Sequence, residues 1–362
     1  MAQHTNRVRG PRPQPKDTEI MLINTDLDFD KYGIDKITPT ETIEHIEGIL
    51  QQGNDAHNTV GLFELETANE ALRNALNMPD PLYLFDVLIQ EKELIILFAD
   101  TGIGKTVYAM QAAIDIANKG HRVLFLDLEL SKKQFQKRYT DDNGNLYKMP
   151  DTLYRIGYSR LRKVPDDVSY TDFFFESLRL LIKRTKAEVI FIDNLTKLAA
   201  GDTDSAKATI PILEGLNLLR EENLTIIAIE HNKKVDTSRP IQLNDLQGSK
   251  MKANLVDSIF SIGRSSKDKN LRYVKQVKVR DGELMYDTEN VMTMEISKEQ
   301  GFLGFTVRGF VSEYEHLKQF NEGERENITE KVKNLSSQSK SQREIAKELG
   351  ISLGAVNKYL HK

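Results

Sequence analysis

Residues 94–106 read Leu-Ile-Ile-Leu-Phe-Ala-Asp-Thr-Gly-Ile-Gly-Lys-Thr, and this stretch decides the fold. Its first six residues are apolar, as expected for a strand that is buried on both faces of a parallel sheet. The last eight residues follow the pattern [AG]-x-x-x-x-G-K-[ST] of a phosphate-binding loop. Gly102 and Gly104 allow the backbone to turn its N–H groups toward phosphate oxygens, and the following helix adds its positive dipole end. The stretch therefore predicts a strand–loop–helix unit that binds a nucleoside triphosphate.

Each position of this loop has an expected role once a nucleotide binds. Lys105 would reach the β- and γ-phosphates, and the Thr106 hydroxyl would ligate Mg²⁺. Ala99 stands where glycine is more usual, which is a common variant. ATP and Mg²⁺ are therefore the expected cofactors. The predicted nucleotide-binding residues are Ala99, Asp100, Thr101, Gly102, Ile103, Gly104, Lys105 and Thr106.

The sequence beyond the loop alternates short apolar runs with segments of helical spacing, which is typical of an α/β fold with a parallel central sheet. From residue 259 to residue 310 the pattern becomes rich in strands. The predicted core strands are 93–98, 122–128, 188–192 and 225–229, and the predicted helices are 106–119, 171–185 and 206–220.

Acidic residues stand at the ends of two of these predicted strands. Asp193 ends one of them and is expected to orient Mg²⁺ through water, so Thr106 and Asp193 are the predicted metal site. Glu129 follows the strand at 122–128. Because parallel strands bring their carboxyl ends to one edge, Glu129 would lie near the γ-phosphate and polarise the attacking water. Asp127, two residues earlier, is a competing candidate for this base.

The composition of the 362 residues is ordinary for folded domains, with 39% hydrophobic and 29% charged residues. The chain has no cysteine, which excludes disulfide scaffolds, thiolate metal sites and cysteine nucleophiles, and which fits a reducing compartment. No apolar run approaches the roughly 18 residues of a membrane span, and the polar N-terminus is unlike a secretory signal. We therefore expect a cytoplasmic protein with no membrane partner.

Two segments resemble parts of RecA and of the DnaB-type hexameric helicases: Phe-Leu-Asp-Leu-Glu-Leu-Ser at 125–131 and Ile-Asp-Asn-Leu at 192–195. The resemblance covers about residues 81–312 and is closest to the RepA-like branch of plasmid and mobile-element ATPases. It implies a RecA-like core, a ring that usually has six subunits, and ATP bound between neighbours. In that superfamily the glutamate at the position of Glu129 is the catalytic base.

Further segments match the same superfamily. Residues 226–234 resemble the strand whose polar end senses the γ-phosphate, here with Glu230 and His231 where two histidines are common. A histidine at a strand end is also often structural. Lys278 and Arg280 match a K-x-R-x-G hairpin whose cations reach the nucleotide of the neighbouring subunit; a basic edge hairpin is the alternative. The predicted catalytic residues are Glu129, Lys105, Arg280, Lys278 and His231.

The resemblance also implies that two loops, 196–207 and 233–252, face the central channel of the ring. The second loop is basic, which suits single-stranded DNA bound through its backbone phosphates. A solvated basic loop is the alternative interpretation. The predicted contacts in the channel are Lys233, Lys234, Arg239, Lys250 and Lys252.

Residues 342–360 resemble a helix-turn-helix, with Gly350 at the turn. Residues 331–362 carry a net charge of +5, which leaves −9 for the rest of the chain. Duplex DNA is therefore the expected partner of this unit, with Asn357 and Lys358 on its recognition helix as the contacts. Units of this kind also serve protein contacts.

These features predict a Mg-ATP-hydrolysing ring ATPase that acts on DNA, as a helicase or translocase in replication or mobile-element maintenance. The rivals are an ATP-gated DNA-binding regulator and a factor that loads another protein onto DNA. The predicted parts are a disordered tail (1–34), a helical N-terminal region (35–80), a RecA-like ATPase domain (81–315), a polar linker (321–326) and a helix-turn-helix domain (322–362).

Overall fold

The structure is a computed structural model. The chain divides into two compact units, Met1–Pro79 and Asp80–Lys362. The predicted tail at 1–34 and residues 35–58 of the predicted helical N-terminal region lie outside the described residues. The described residues are 59–60, 63–159, 163–198, 209–232, 236–318, 322–351 and 353–360.

In the first unit a minimal hairpin, β1 (Thr59–Val60) and β2 (Phe63–Glu64), precedes helix α1 (Ala68–Ala75). The Thr67 hydroxyl accepts a hydrogen bond from the Glu70 N–H, and the Glu70 carboxylate accepts one from the Thr67 N–H. This capping box fixes the first turn of the helix. The part of the predicted helical region just before this cap is extended instead, because residues 59–60 and 63–64 pair as a hairpin.

A nine-stranded sheet forms the centre of the second unit, in the order β13-β12-β11-β10-β5-β9-β8-β6-β7. The strands from β10 to β7 run parallel, and β11 to β13 extend the sheet in antiparallel fashion. Two short strands, β3 (Tyr83–Phe85) and β4 (Ile89–Gln90), pair with each other. The strands of the sheet are β5 (Leu94–Ala99), β6 (Val123–Asp127), β7 (Leu153–Ile156), β8 (Val189–Asp193), β9 (Thr225–His231), β10 (Ser258–Arg264), β11 (Leu271–Lys278), β12 (Val291–Glu299) and β13 (Phe302–Val311).

Helices cover both faces of this sheet, which confirms the predicted α/β class. Every residue of β5 is buried, and alternate residues enter two separate cores. Ile95 and Leu97 pack with α2, whereas Leu94 and Ile96 pack with α6. The helices are α2 (Lys105–Asn118), α3 (Lys132–Arg138), α4 (Tyr170–Thr185), α5 (Leu195–Leu198), α6 (Ile210–Glu221) and α7 (Ser249–Leu255). Within the described ranges, no helix combines the length and the apolar character needed to cross a membrane.

The connection from β11 to β12 differs from the tight hairpin that the sequence predicts. Strand β11 ends at Lys278, so Arg280 lies beyond it in a bend, and the two residues do not share a strand face. Gln276 accounts for the wider loop: its N–H donates to the Tyr286 carbonyl, and its side-chain oxygen accepts from the N–H groups of Met285 and Tyr286. These bonds hold residues 285 and 286 against the strand, so residues 279–284 form an irregular loop instead of a tight turn.

Three helices close the chain: α8 (Glu322–Ser337), α9 (Gln342–Leu349) and α10 (Leu353–Leu360). Val332, Ile345 and Val356 contribute one buried side chain each to a small core between them. Gly350 ends α9 in the left-handed conformation, with a φ of +66°, which permits the turn into α10. Helix α8 begins at Glu322, so most of the predicted linker at 321–326 is helical instead.

Candidate active site

Four parallel strands bring Lys105, Glu129 and His231, three of the five predicted catalytic residues, to one edge of the sheet. In the register of the strands, Asp127 lies beside Asp193, and Ala99 lies beside His231. Strand β9 runs between the strand of the phosphate loop, β5, and strand β8. Residues far apart in the chain therefore meet at the carboxyl ends of β5, β6, β8 and β9, where ligands bind in open α/β sheets.

The phosphate loop has the backbone that its glycines predict. Gly102 and Gly104 take positive φ angles, +73° and +110°. The Lys105 ammonium donates to the carbonyls of Ala99, at 2.7 Å, and Asp100, at 3.1 Å. Burial lowers the pKa of Lys105, and the surrounding carboxylates oppose that shift.

Thr106 and Asp193 form the corner in which the sequence predicts Mg²⁺. Burial raises the pKa of Asp193 to about 6, and its hydrogen bond with Thr106 opposes the shift. The Glu129 and Asp127 carboxylates add to the rise. The buried Asp193 Oδ2 has no hydrogen-bond partner. An unpaired buried oxygen among carboxylates suits a hard divalent cation, so these residues fit Mg²⁺.

Glu129 lies in a small polar cluster with Asn194 and His231. The Asn194 side-chain amide donates to Glu129 Oε1 and lies 3.0 Å from His231 Nε2. His231 Nε2 is 3.8 Å from the same Glu129 oxygen, and its Nδ1 is 3.2 Å from the Lys105 ammonium. The ammonium can only donate, so Nδ1 accepts. His231 thus joins the predicted phosphate-binding lysine to the predicted base.

Asp127, the competing candidate for the base, is occupied otherwise. Its side chain is fully buried and pairs with Arg155, whose Nε donates to Asp127 Oδ2 at 2.8 Å. Its other oxygen accepts from the N–H groups of Glu129, at 3.3 Å, and Leu130, at 2.8 Å. These bonds hold the turn that carries Glu129, whose own carboxylate stays one-third exposed. The geometry therefore favours Glu129 for contact with water and gives Asp127 a supporting position.

We expect Asp127→Asn to lower the free energy of unfolding by about 2–4 kcal/mol, because it leaves Arg155 without its anionic partner. This loss of stability is somewhat smaller than that expected for a fully buried ion pair, because a fifth of the Arg155 side chain is exposed. Denaturant unfolding measures the change. An unaltered stability would contradict the structural role of the pair.

The structure adds three residues around the phosphate loop that the sequence analysis missed. Arg272, buried on β11, donates from Nε to the Ile103 carbonyl at 3.0 Å. Arg264 lies 3.5 Å from another carbonyl of the loop. The Phe305 ring approaches so closely that a Cβ at Gly104 would stand 2.8 Å from it. These residues follow the loop by more than 150 positions, so no local motif signals them.

The predicted nucleic-acid contacts differ in their exposure and in their partners. Lys233 and Lys234 lie outside the described residues. Lys250 is exposed on α7, whereas Arg239 pairs with Asp245. Lys252 is buried, with its ammonium 2.9 Å from a Glu230 oxygen, so the prediction that it contacts DNA is wrong. Helical periodicity turns Lys252 toward the core, whereas the basic composition of the loop suggested a surface position.

Lys278 and Arg280 lie at the edge of the sheet opposite the phosphate loop. The Lys278 ammonium donates to the carbonyls of Ala253, at 2.6 Å, and Val256, at 2.5 Å, so it caps the end of α7 instead of projecting outward. Arg280 is half-exposed and pairs with Asp257 at 2.8 Å. The prediction that Lys278 projects as a catalytic cation is therefore wrong, because these two carbonyls bind its ammonium.

The fold and the site define the class of protein. A strand ends in a phosphate loop, and the neighbouring parallel strands present Thr-bound Asp193 and the Glu129 cluster beside Lys105. A protein-family model described as an AAA domain matches residues 62–237, which include these elements. This part of the chain thus has the strand–loop–helix arrangement of a P-loop nucleotide-binding domain and is similar to AAA domains.

Solved structures with similar coordinates include two distant ones. A KaiC-like protein from the hyperthermophilic archaeon Pyrococcus horikoshii is 17% identical, with a TM-score of 0.42, over 63% of this chain and 98% of that one. A DnaB-like replicative helicase, described with its interactions with primase, is 17% identical, with a TM-score of 0.49, over 74% of this chain and 71% of that one. Among curated proteins, none matches the sequence.

Proposed function

We propose that the chain is a ring-forming, DNA-dependent Mg-ATPase that works as a helicase or translocase in replication or mobile-element maintenance. One observation supports the proposal: the cluster of Lys105, Glu129 and His231 lies at the opposite edge of the sheet from Arg280. Lys105 follows the carboxyl end of β5 and Glu129 that of β6, whereas Arg280 lies beyond the amino end of β5. Strand β5 spans about 20 Å, so Arg280 reaches a γ-phosphate only in another subunit.

In this proposal the chain's own groups divide the chemistry between two subunits. Lys105 binds the β- and γ-phosphates, and Glu129 takes a proton from the attacking water at its Oε1 or Oε2 atom. Thr106 and Asp193 would hold Mg²⁺, which supplies charge neutralisation on the phosphates. His231, between Lys105 and Glu129, responds to the γ-phosphate. Arg280 from the neighbour stabilises the charge that develops on the transferred phosphoryl group.

DNA enters the proposal at two places. Single strands would follow the channel loops, in which Lys250 is exposed. Duplex DNA would bind the three-helix unit, in which α9, the turn at Gly350 and α10 follow one another as in a helix-turn-helix. Asn357 and Lys358 are both exposed on α10. Their side chains suit a base edge and a phosphate, respectively.

The test is the mass of the protein in solution, measured with and without Mg-ATP and single-stranded DNA, together with strand displacement. We expect a nucleotide-dependent ring with the mass of a hexamer, ATPase stimulated by single strands, and displacement of a paired strand. A monomer under all conditions would overturn it. Slow hydrolysis without unwinding would instead favour a regulator, and stimulation only by a partner protein would favour a loader.

We expect Asn357→Ala combined with Lys358→Ala to weaken duplex binding about tenfold near 0.1 M salt and to flatten its salt dependence, because one phosphate contact and one base contact are lost. Basal ATPase and single-strand binding should persist. Fluorescence anisotropy with duplex and single-stranded probes at two salt concentrations measures both affinities.

Lys333→Ala provides the matched control for this pair of substitutions. It removes the same charge from an exposed position of the same three-helix unit, but on α8. It should leave duplex affinity nearly unchanged. Equal losses in both variants would reduce the effect to net charge, and unchanged duplex binding in the double variant would make the unit a protein-docking element.

A further inference from the structure

Helix α7 runs from the side of the sheet where β9 ends toward the start of β5. It begins after Gly248, on the side where β9 ends, and it is followed by Asp257, whose N–H donates to the carbonyl of Leu94 at the start of β5. Seven helical residues cover about 10 Å. The helix thus lies between the predicted sensor at His231 and the predicted finger at Arg280.

The middle of α7 is bound to the sensor strand by a buried ion pair. The Lys252 ammonium lies 2.9 Å from Glu230 Oε2, and both side chains are almost completely buried. The other Glu230 oxygen accepts from the Thr196 hydroxyl at 2.7 Å and from the His231 N–H at 3.3 Å. Glu230 therefore ties α7 to the residue that touches Lys105, and to helix α5 after β8.

The C-terminal part of α7 and the residues that follow it bind Lys278 and Arg280, the two cations of the K-x-R segment. Lys278 donates to the carbonyls of Ala253 and Val256, the last of which directly precedes Asp257. Asp257 pairs with Arg280 and also with Arg220 on α6, at 3.3 Å. Charged groups thus fasten the helix to the sensor strand at its middle and to the K-x-R segment at its C-terminal end.

A buried ion pair such as Lys252–Glu230 is weak support for stability, because desolvating two charges offsets most of their attraction. Its more distinctive property is geometric, since it fixes α7 to one specific atom pair at the end of β9. A shift of Glu230 on nucleotide binding would move the helix as a rigid body and displace the carbonyls and the carboxylate that hold Lys278 and Arg280.

We infer that α7 transmits the nucleotide state of one subunit to Arg280, the finger that this subunit presents to its neighbour. Lys252 and Glu230 are the positioning residues of this link. The inference rests on the proposed trans-acting role of Arg280. It assigns Lys252 no contact with nucleotide or DNA. It also makes the spacing between sensor and finger a property of this short helix.

A fluorescent probe beside the finger tests the link directly. The chain contains no cysteine, so Glu283→Cys, exposed in the loop after Arg280, provides a unique attachment site for an environment-sensitive dye. We expect Mg·AMP-PNP to change the dye emission in this labelled protein. In Glu230→Gln with Lys252→Met, which removes both buried charges together, nucleotide affinity should persist while the dye response is lost.

Kinetics separate a positioning role from a general loss of structure. We expect kcat of the double variant to fall about tenfold at an unchanged KM for ATP, the size of coupling effects of residues that touch neither ligand. The melting temperature identifies any variant that fails to fold. Lys252→Arg, which keeps the positive charge, should recover most of the dye response, and Asn254→Ala is the control from the exposed face of the same helix.

The possible outcomes distinguish this inference from the proposed function. A folded double variant that binds AMP-PNP and keeps the full dye response would overturn the link, even if the ring and its finger are as proposed. No dye response in the starting protein despite AMP-PNP binding would also overturn it. Failure of the proposed function would appear separately, as unchanged hydrolysis in Arg280→Ala.

Discussion

Glu129→Gln is expected to bind Mg-ATP with nearly normal affinity and to lower kcat by about 10²–10⁴, the usual contribution of a general base. The amide keeps the shape of the side chain, and its oxygen can still accept the hydrogen bond from Asn194. What it loses is the ability to take a proton from water. Phosphate release under single-turnover conditions and titration with a fluorescent ATP analogue measure the two effects separately.

Asp127→Asn is the control for this variant, because Asp127 lies two residues away at the same edge of the sheet. Its carboxylate is buried against Arg155, so its loss should affect stability far more than the chemical step. The reverse result, with Asp127→Asn inactive and Glu129→Gln normal, would show that the base is misassigned.

The sequence was sufficient for the elements whose signals are local. The apolar runs of β5, β6, β8 and β9 predict buried parallel strands, and each lies within two residues of its predicted bounds. The phosphate loop is equally local, because its glycines, lysine and threonine act on one ligand from one turn. Positions at strand ends could also be grouped, since parallel strands share an edge.

Interactions between distant parts of the chain could not be predicted in this way. Arg155 is 28 residues from Asp127, and nothing in either segment indicates that they pair. Lys252 lies in a basic stretch that suggests a surface, yet its face of α7 turns inward to Glu230. The prediction of a tight hairpin at 278–280 was wrong. Strand β11 ends at Lys278, and Gln276 binds the returning chain only at residues 285 and 286. Each case depends on a tertiary partner.

Arg280→Ala is expected to lower kcat by about 10³–10⁵ with little change in the affinity for ATP, the size of effect that arginine fingers have in P-loop enzymes. The guanidinium acts on charge that develops in the transition state, so binding of the ground state should be spared. The fold should tolerate the change, because Asp257 retains Arg220 as an ionic partner. Steady-state hydrolysis and the same fluorescent titration provide the readout.

Mixing separates a finger that acts between subunits from one that supports its own chain. Arg280→Ala and Glu129→Gln subunits should regain activity when combined, because some interfaces then join an intact Glu129 to an intact Arg280. Arg308→Ala is the matched control: Arg308 has the same 50% exposure and pairs with Glu295, as Arg280 pairs with Asp257, but it lies on β13. It should hydrolyse ATP normally. If subunits exchange and no activity returns, Arg280 does not act across the interface, and the ring loses the observation on which it rests.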